Sequence, residues 1–197
     1  MKSLKEIGIE SIISKTNSVK NILANIGDNI EYISCKIECD KLPEPEKREK
    51  DGRFVAPMSA DVFKTIIENK KPSLYFFEFN INDREKIINS YEIFVDEQKK
   101  KLLNERRISP ATKKKYPNDT SVLYVGKSKG GNVGRLIVHL GYYDKGGTAG
   151  LQLIHWAKKL KIDITYHVFY FPLEMRDFVD PLEISIARSL NPLLGKL

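Results

Sequence analysis

Residues Ser121–Leu140, SVLYVGKSKGGNVGRLIVHL, pass from an apolar run through a basic, glycine-rich loop into a second apolar pattern. Val122, Leu123, Tyr124 and Val125 have the composition of a strand, which Gly126 is expected to end. Downstream, Arg135-Leu-Ile-Val-His139 puts two polar side chains four residues apart in an amphipathic pattern. Four residues are about one helical turn, so Arg135 and His139 share a face directed toward whatever the loop holds. A guanidinium and an imidazole beside Tyr124 suit chemistry on a phosphate.

Upstream, Ser73–Phe79, SLYFFEF, is bounded by Pro72 and Asn80 and reads as a buried strand. It is placed to pair antiparallel with the Ser121–Val125 strand. Between the two lie an amphipathic helix over Asp83–Leu103, with Ile87, Ile88, Tyr91, Phe94 and Val95 apolar, and a basic loop. A shorter helix starts near Ser59–Asp61 and stops at Lys70-Lys71-Pro72. After a loop over Gly141–Gly150, Leu151–Leu160 reads as a helix and Ile162–Phe171, IDITYHVFYF, alternates as a third strand. Asp180-Pro181 opens a last helix, Leu182–Leu190, with proline where a first turn tolerates it, and Asn191-Pro192 ends it. Met1–Asp40 reads as two short helices, and Lys41–Pro57, rich in proline and charge, as an exposed linker. The chain thus divides into a helical extension and linker over 1–57 and an α+β domain over 58–197, with an inserted helix and basic loop at about 81–119.

The 197 residues, 41% hydrophobic, can form a globular core. With no 18-residue apolar run and no charged–apolar–small-residue leader, the chain reads as soluble and cytoplasmic, with no membrane partner. Cys35 and Cys39 stand four apart without nearby histidine, and a zinc site needs about four such ligands, so they read as reduced thiols on a helix. The net charge of +7 is unevenly placed: residues 1–58 hold ten basic and ten acidic side chains. Within Lys99–Lys115, Lys99, Lys100, Lys101, Arg106, Arg107, Lys113, Lys114 and Lys115 face one acid, Glu105. Beside a phosphate-chemistry site, such a cluster points to nucleic-acid backbone, with Lys127 and Lys129 adding to it from the glycine loop. The N-terminal segment has no net positive charge, which argues against a DNA-binding helix-turn-helix there.

A strand with tyrosine, a strand with Tyr-x-Gly, a helix with arginine, a third strand, and a helix bearing an early glutamate and ending in Asn-Pro together resemble the GIY-YIG nuclease family. The first motif stands as Ser73-Leu74-Tyr75, the second as Tyr124-Val125-Gly126, the arginine as Arg135 and the glutamate as Glu183. The resemblance covers Ser73–Leu197 apart from the insertion, and His139 is similar to the histidine of the family's restriction-endonuclease branch. It departs at serine for the first glycine, at the 48 residues between Tyr75 and Tyr124, and at Gly195 where the family tends to carry asparagine. The resemblance implies a small central three-stranded antiparallel sheet flanked by helices, and a metal-dependent endonuclease cutting double-stranded DNA, of type II restriction kind on that branch. A homo-oligomer acting on the duplex is the accompanying expectation. It implies Glu183 as ligand of Mg2+ or Mn2+, ahead of Glu174 and Asp180, and Arg135 on the phosphoryl oxygens. Tyr75 positions or deprotonates the water, with Tyr124 nearby, and cations lower its pKa. His139 relays the proton from Tyr75 or serves as base. The alternative is a catalytically inactive nucleic-acid-binding protein of the same fold, with Gly195 the motive. His155 and His167 are expected to be packed histidines.

Overall fold

The computed structural model describes residues 4–24, 30–44, 60–142 and 148–195. In chain order these form α1 (Leu4–Ala24), β1 (Glu31–Glu38), α2 (Ala60–Glu68), β2 (Ser73–Phe79), α3 (Arg84–Lys100), β3 (Val122–Ser128), α4 (Val133–Leu140), the single turn α5 (Leu153–Trp156), β4 (Asp163–Tyr170) and α6 (Val179–Leu190). The class is α+β, as expected.

The sheet has four strands, not three, in the order β1-β4-β2-β3, every pair antiparallel. The added strand corrects the helical reading of the N-terminal segment. One helix spans Leu4–Ala24, but Glu31–Glu38 runs as an edge strand along β4, from Glu31 opposite Tyr170 to Glu38 opposite Asp163. Isoleucines at helical spacing carried the helical pattern across a segment whose own Ile33, Cys35 and Ile37 alternate toward the core. Cys35 therefore lies on a strand and Cys39 in the 3-10 turn that follows, both free. Most of the expected linker, and the middle of the loop after α4, lie outside the described residues.

β2 is central, and its residues alternate between two packed faces. Tyr75, Phe77 and Phe79 enter the main core with Tyr91 and Phe94 of α3, Leu136 and Leu140 of α4, and Trp156. Leu74 and Phe76 face the other way, toward α6, whose Ile186 and Ala187 pack on Val122 and Val125. Helices on both faces explain why SLYFFEF is apolar at nearly every position.

Two local features aim the site. Between Phe77 and Glu78 the β2–β3 register shifts: Phe77 pairs with Tyr124, but Glu78 pairs with Val122. Leu123 is the extra residue of this bulge, so Leu123 and Tyr124 both reach the main core face. The strand does not end at Gly126 but continues to Ser128, with Gly126 opposite Tyr75. A Cβ on Gly126 would stand 2.6 Å from the Tyr75 ring, so the glycine admits the tyrosine. At the start of α4, buried Asn132 donates from Nδ2 to Tyr166 Oη (2.7 Å) and accepts from Tyr170 Oη (2.8 Å), fixing the helix to β4. Gly141, at φ 96°, closes α4 with its N–H on the carbonyls of Ile137 and Val138.

Candidate active site

One helical turn apart, Arg135 and His139 do point the same way, toward β2 and β3. Tyr75 Oη is 3.1 Å from His139 Nε2 and 3.1 Å from Arg135 Nε. The Tyr124 ring lies 4.9 Å from the imidazole, centroid to centroid. Arg135 also donates to the Ala149 carbonyl (3.2 Å), which ties it to the segment after the loop. Glu183, in the second turn of α6, accepts from Lys127 Nζ at 3.1 Å. Lys127 also pairs with Asp180, and Lys129 reaches the same carboxylate at 2.7 Å. The Glu183 charge acts on both Tyr75 and Tyr124. Four elements, β2, β3, α4 and α6, thus bring together the five residues singled out from the sequence.

His139 is fully buried, and its hydrogen bonds fix its tautomer. The Leu151 N–H donates to Nδ1 (3.1 Å), and Leu151 is itself held by the Trp156 indole N–H on its carbonyl (2.7 Å). Nδ1 is therefore the bare nitrogen of a neutral ring, and Nε2–H donates to Tyr75. Burial, then the Arg135 charge, push the His139 pKa well below 6.5, which keeps the ring neutral. In this arrangement Nε2 donates to Tyr75 Oη and does not accept its proton.

Tyr75 differs from expectation in the same direction. It is 1% exposed, and desolvation raises its pKa above the ordinary phenol range despite the opposing Arg135 charge. Its Oη accepts from both the His139 Nε2–H and the Arg135 Nε–H. Tyr124 is raised as well, again chiefly by burial with Arg135 opposing. At both phenols desolvation outweighs the charge of the protein's own cations, Arg135 and, at Tyr124, Lys127.

Tyr124 and Glu183 share the wall of a cleft of about 570 Å³ with Ser109, Pro110, Ala111 and Gly195. Tyr75 is buried and does not line the cleft. Ser109–Ala111 belong to the insertion, and no pattern in the sequence marked them for the site. They are carried there by backbone bonds, Gly195 N–H to the Ala111 carbonyl (2.9 Å) and Gly150 N–H to the Ile108 carbonyl (3.1 Å), and by Tyr91 Oη on the Pro110 carbonyl (2.7 Å). Gly195 has φ 104°, a backbone that asparagine would adopt only with strain, and its Cα side faces the Tyr124 ring. Arg135 borders a second cavity of about 570 Å³, formed with Lys70 and the glycine loop.

The basic residues divide. Lys100, Lys101, Lys114 and Lys115 are exposed, and Lys99 is exposed and paired with Asp96 at 2.8 Å. Arg106 folds back onto the carbonyls of Lys101 (2.9 Å) and Lys99 (2.7 Å), capping α3. Arg107 is half-buried, reaching the Gly141 carbonyl and Gln152 Oε1, each at 3.4 Å, so its part is structural. Lys113 meets Asn191 Oδ1 at 3.3 Å. His155 and His167 are packed, on Phe94 and Phe76 respectively; His167 also bridges Tyr32 and Glu78.

Among the described residues no group of three or more His, Cys, Asp or Glu side chains is arranged to hold a metal ion. Glu183 is a single hard oxygen donor on the cleft wall. That donor fits a magnesium-like ion, which takes most of its shell from water and phosphate, and does not fit zinc or calcium. Among the same residues no helix is long and apolar enough to cross a membrane. Comparison of the chain with protein-family models, curated proteins and solved structures finds no match.

Proposed function

We propose that the chain is a metal-dependent endonuclease of the GIY-YIG type that hydrolyses phosphodiester bonds of double-stranded DNA, of the type II restriction kind. The observation that carries this reading is the cluster that Tyr75, Tyr124, Arg135 and His139 form through direct contacts, with Tyr124 and Glu183 lining one cleft, although the five come from four separate elements. Arg135 supplies a planar, permanently charged fork for non-bridging phosphoryl oxygens. Tyr124, on the cleft wall, orients the attacking water. Tyr75 and His139 lie behind it and fix the guanidinium: the imidazole donates to Tyr75 Oη, which also accepts from Arg135 Nε. Glu183 holds Mg2+ or Mn2+, which when bound neutralises charge building on the phosphoryl and leaving oxygens. Lys127 keeps Asp180 as a second partner when Glu183 is engaged.

Magnesium-dependent digestion of varied genomic DNAs, followed by end sequencing, tests activity and specificity together. Cleavage is expected from the wild type and from neither Arg135→Ala nor Glu183→Ala. Cleavage that persists equally in both variants refutes the assignment.

Gly195, where the family tends to carry asparagine, and the Lys127–Glu183 ion pair favour a second reading, a DNA-binding protein of this fold that does not cut. Its mark is retardation of DNA with steep salt dependence and no cleavage of genome-sized substrate with either metal.

A further inference from the structure

The most exposed large apolar side chains among the described residues are neighbours: Leu102 is 68% and Leu103 82% exposed. They stand at the tip of the insertion, directly after α3 ends at Lys100. The tip is held in shape. The Glu105 N–H donates to the Leu102 carbonyl (2.9 Å), Arg106 clamps the carbonyls of Lys99 and Lys101, and the Arg107 N–H donates to Oε1 of the buried Gln98 (3.1 Å). Hydrogen bonds on both sides of the pair thus keep two leucines in water, flanked by the exposed Lys100 and Lys101, with Glu105 as the nearby acid. The same segment then runs into the cleft wall at Ser109. Six residues of chain cover at most about 20 Å, roughly six base pairs of duplex.

We propose that Leu102 and Leu103 form an apolar wedge that inserts between base pairs of duplex DNA close to the cleft and kinks it. This rests on the reading of the cleft as a DNA site. The chemistry is that of side chains which unstack a base step while flanking cations hold the adjacent phosphates. A patch of two leucines is too small for a stable protein interface, and its cationic rim matches a polyanion. Unstacking a step and widening the duplex brings more backbone against Lys114 and Lys115, which lie further along the same insertion.

The test uses the full chain at low salt, without divalent metal, on a 30-base-pair duplex carrying end dyes for energy transfer and 2-aminopurine at successive positions. Wild type is expected to bend the duplex by about 20–90° and to raise 2-aminopurine fluorescence several-fold at one step. Leu102→Ser/Leu103→Ser is expected to lose both signals while keeping the salt slope of binding, since the phosphate contacts remain. Both side chains are exposed, so the variant is expected to fold; Leu103→Ser alone, with a reduced bend, gives the same answer from a smaller change. Binding by wild type without bend or fluorescence change overturns the wedge, as does equal bending by the variants. Leucine-dependent binding to phosphatidylserine vesicles without DNA bending overturns it in favour of a lipid surface. Bending without magnesium-dependent cleavage removes the nuclease reading and leaves the wedge, whereas cleavage without bending does the reverse.

Discussion

Gly126→Ala isolates the cross-strand contact that holds the candidate site. An added Cβ would lie 2.6 Å from Cζ and Oη of Tyr75, about 0.8 Å inside the 3.4 Å at which carbon contacts become ordinary. The ring is buried and has no open side, so it moves toward Arg135 and His139 or the strands part. Tyr75 Oη now sits 3.1 Å from both partners, so a displacement of that size toward them compresses at least one bond below hydrogen-bond distance and forces the partner to shift. Overpacking of this kind costs about 1–3 kcal/mol. At about 2 kcal/mol the melting temperature of a chain this long falls by about 4–8 °C. A misplacement near 1 Å costs up to about 100-fold in rate where catalysis depends on geometry. Thermal melting, DNA retardation and plasmid cleavage separate the effects: lower stability, unchanged binding and a large loss of cleavage are expected. Gly134→Ala is the control, because nothing lies within 4 Å of its Cβ position in α4, and it is expected to melt no lower than wild type. A Gly126→Ala protein that melts with the wild type and cuts at the wild-type rate refutes the claim that this contact positions Tyr75.

His139 and His155 both have folded pKa values below the ordinary histidine value, His155 near 4, chiefly through burial. The unfolded chain therefore binds protons first on acidification. Their contribution to stability is complete above about pH 6.5 and declines below it by about 1.4 kcal/mol per pH unit for each ring, as measured by denaturant titration between pH 6.5 and 5. His139→Asn is expected to halve that slope, and an unchanged slope overturns the neutral-ring assignment. Lys100→Ala/Lys101→Ala is expected to lower the salt slope of DNA binding by about 2 without changing stability, since both side chains are exposed. Arg107→Ala should do the opposite, lowering the melting temperature through its lost bonds to Gly141 and Gln152 while leaving the salt slope intact. Arg135→Lys keeps a charge but loses the bonds to Tyr75 and Ala149 together; cleavage as fast as wild type would rule out the positioning given to the guanidinium.

What could be read in the linear order was whatever depends on local periodicity. Arg135 and His139 face one way because one helical turn separates them, whatever surrounds the helix. SLYFFEF announced a buried strand because a strand covered on both faces needs apolar residues at nearly every position. Lys99–Lys115 announced a basic insertion, although not that Arg106 and Arg107 spend their guanidinium groups on the protein's own carbonyls.

Partners distant in sequence decided the rest. β1 is a strand because the edge of β4 is there to bond it, and isoleucines at helical spacing hid that. The bulge at Leu123, which keeps Tyr124 on the side of the site, exists only in the pairing of β2 with β3. The proton on His139 is fixed by the Leu151 backbone, and the phenol pKa values by how deeply β2 and β3 are covered. The sequence by itself determined which side chains are candidates for chemistry and that Arg135 and His139 share one helix face. Only the tertiary structure decided their protonation and which of them meets the cleft, because desolvation and cross-strand register are set by residues far away along the chain.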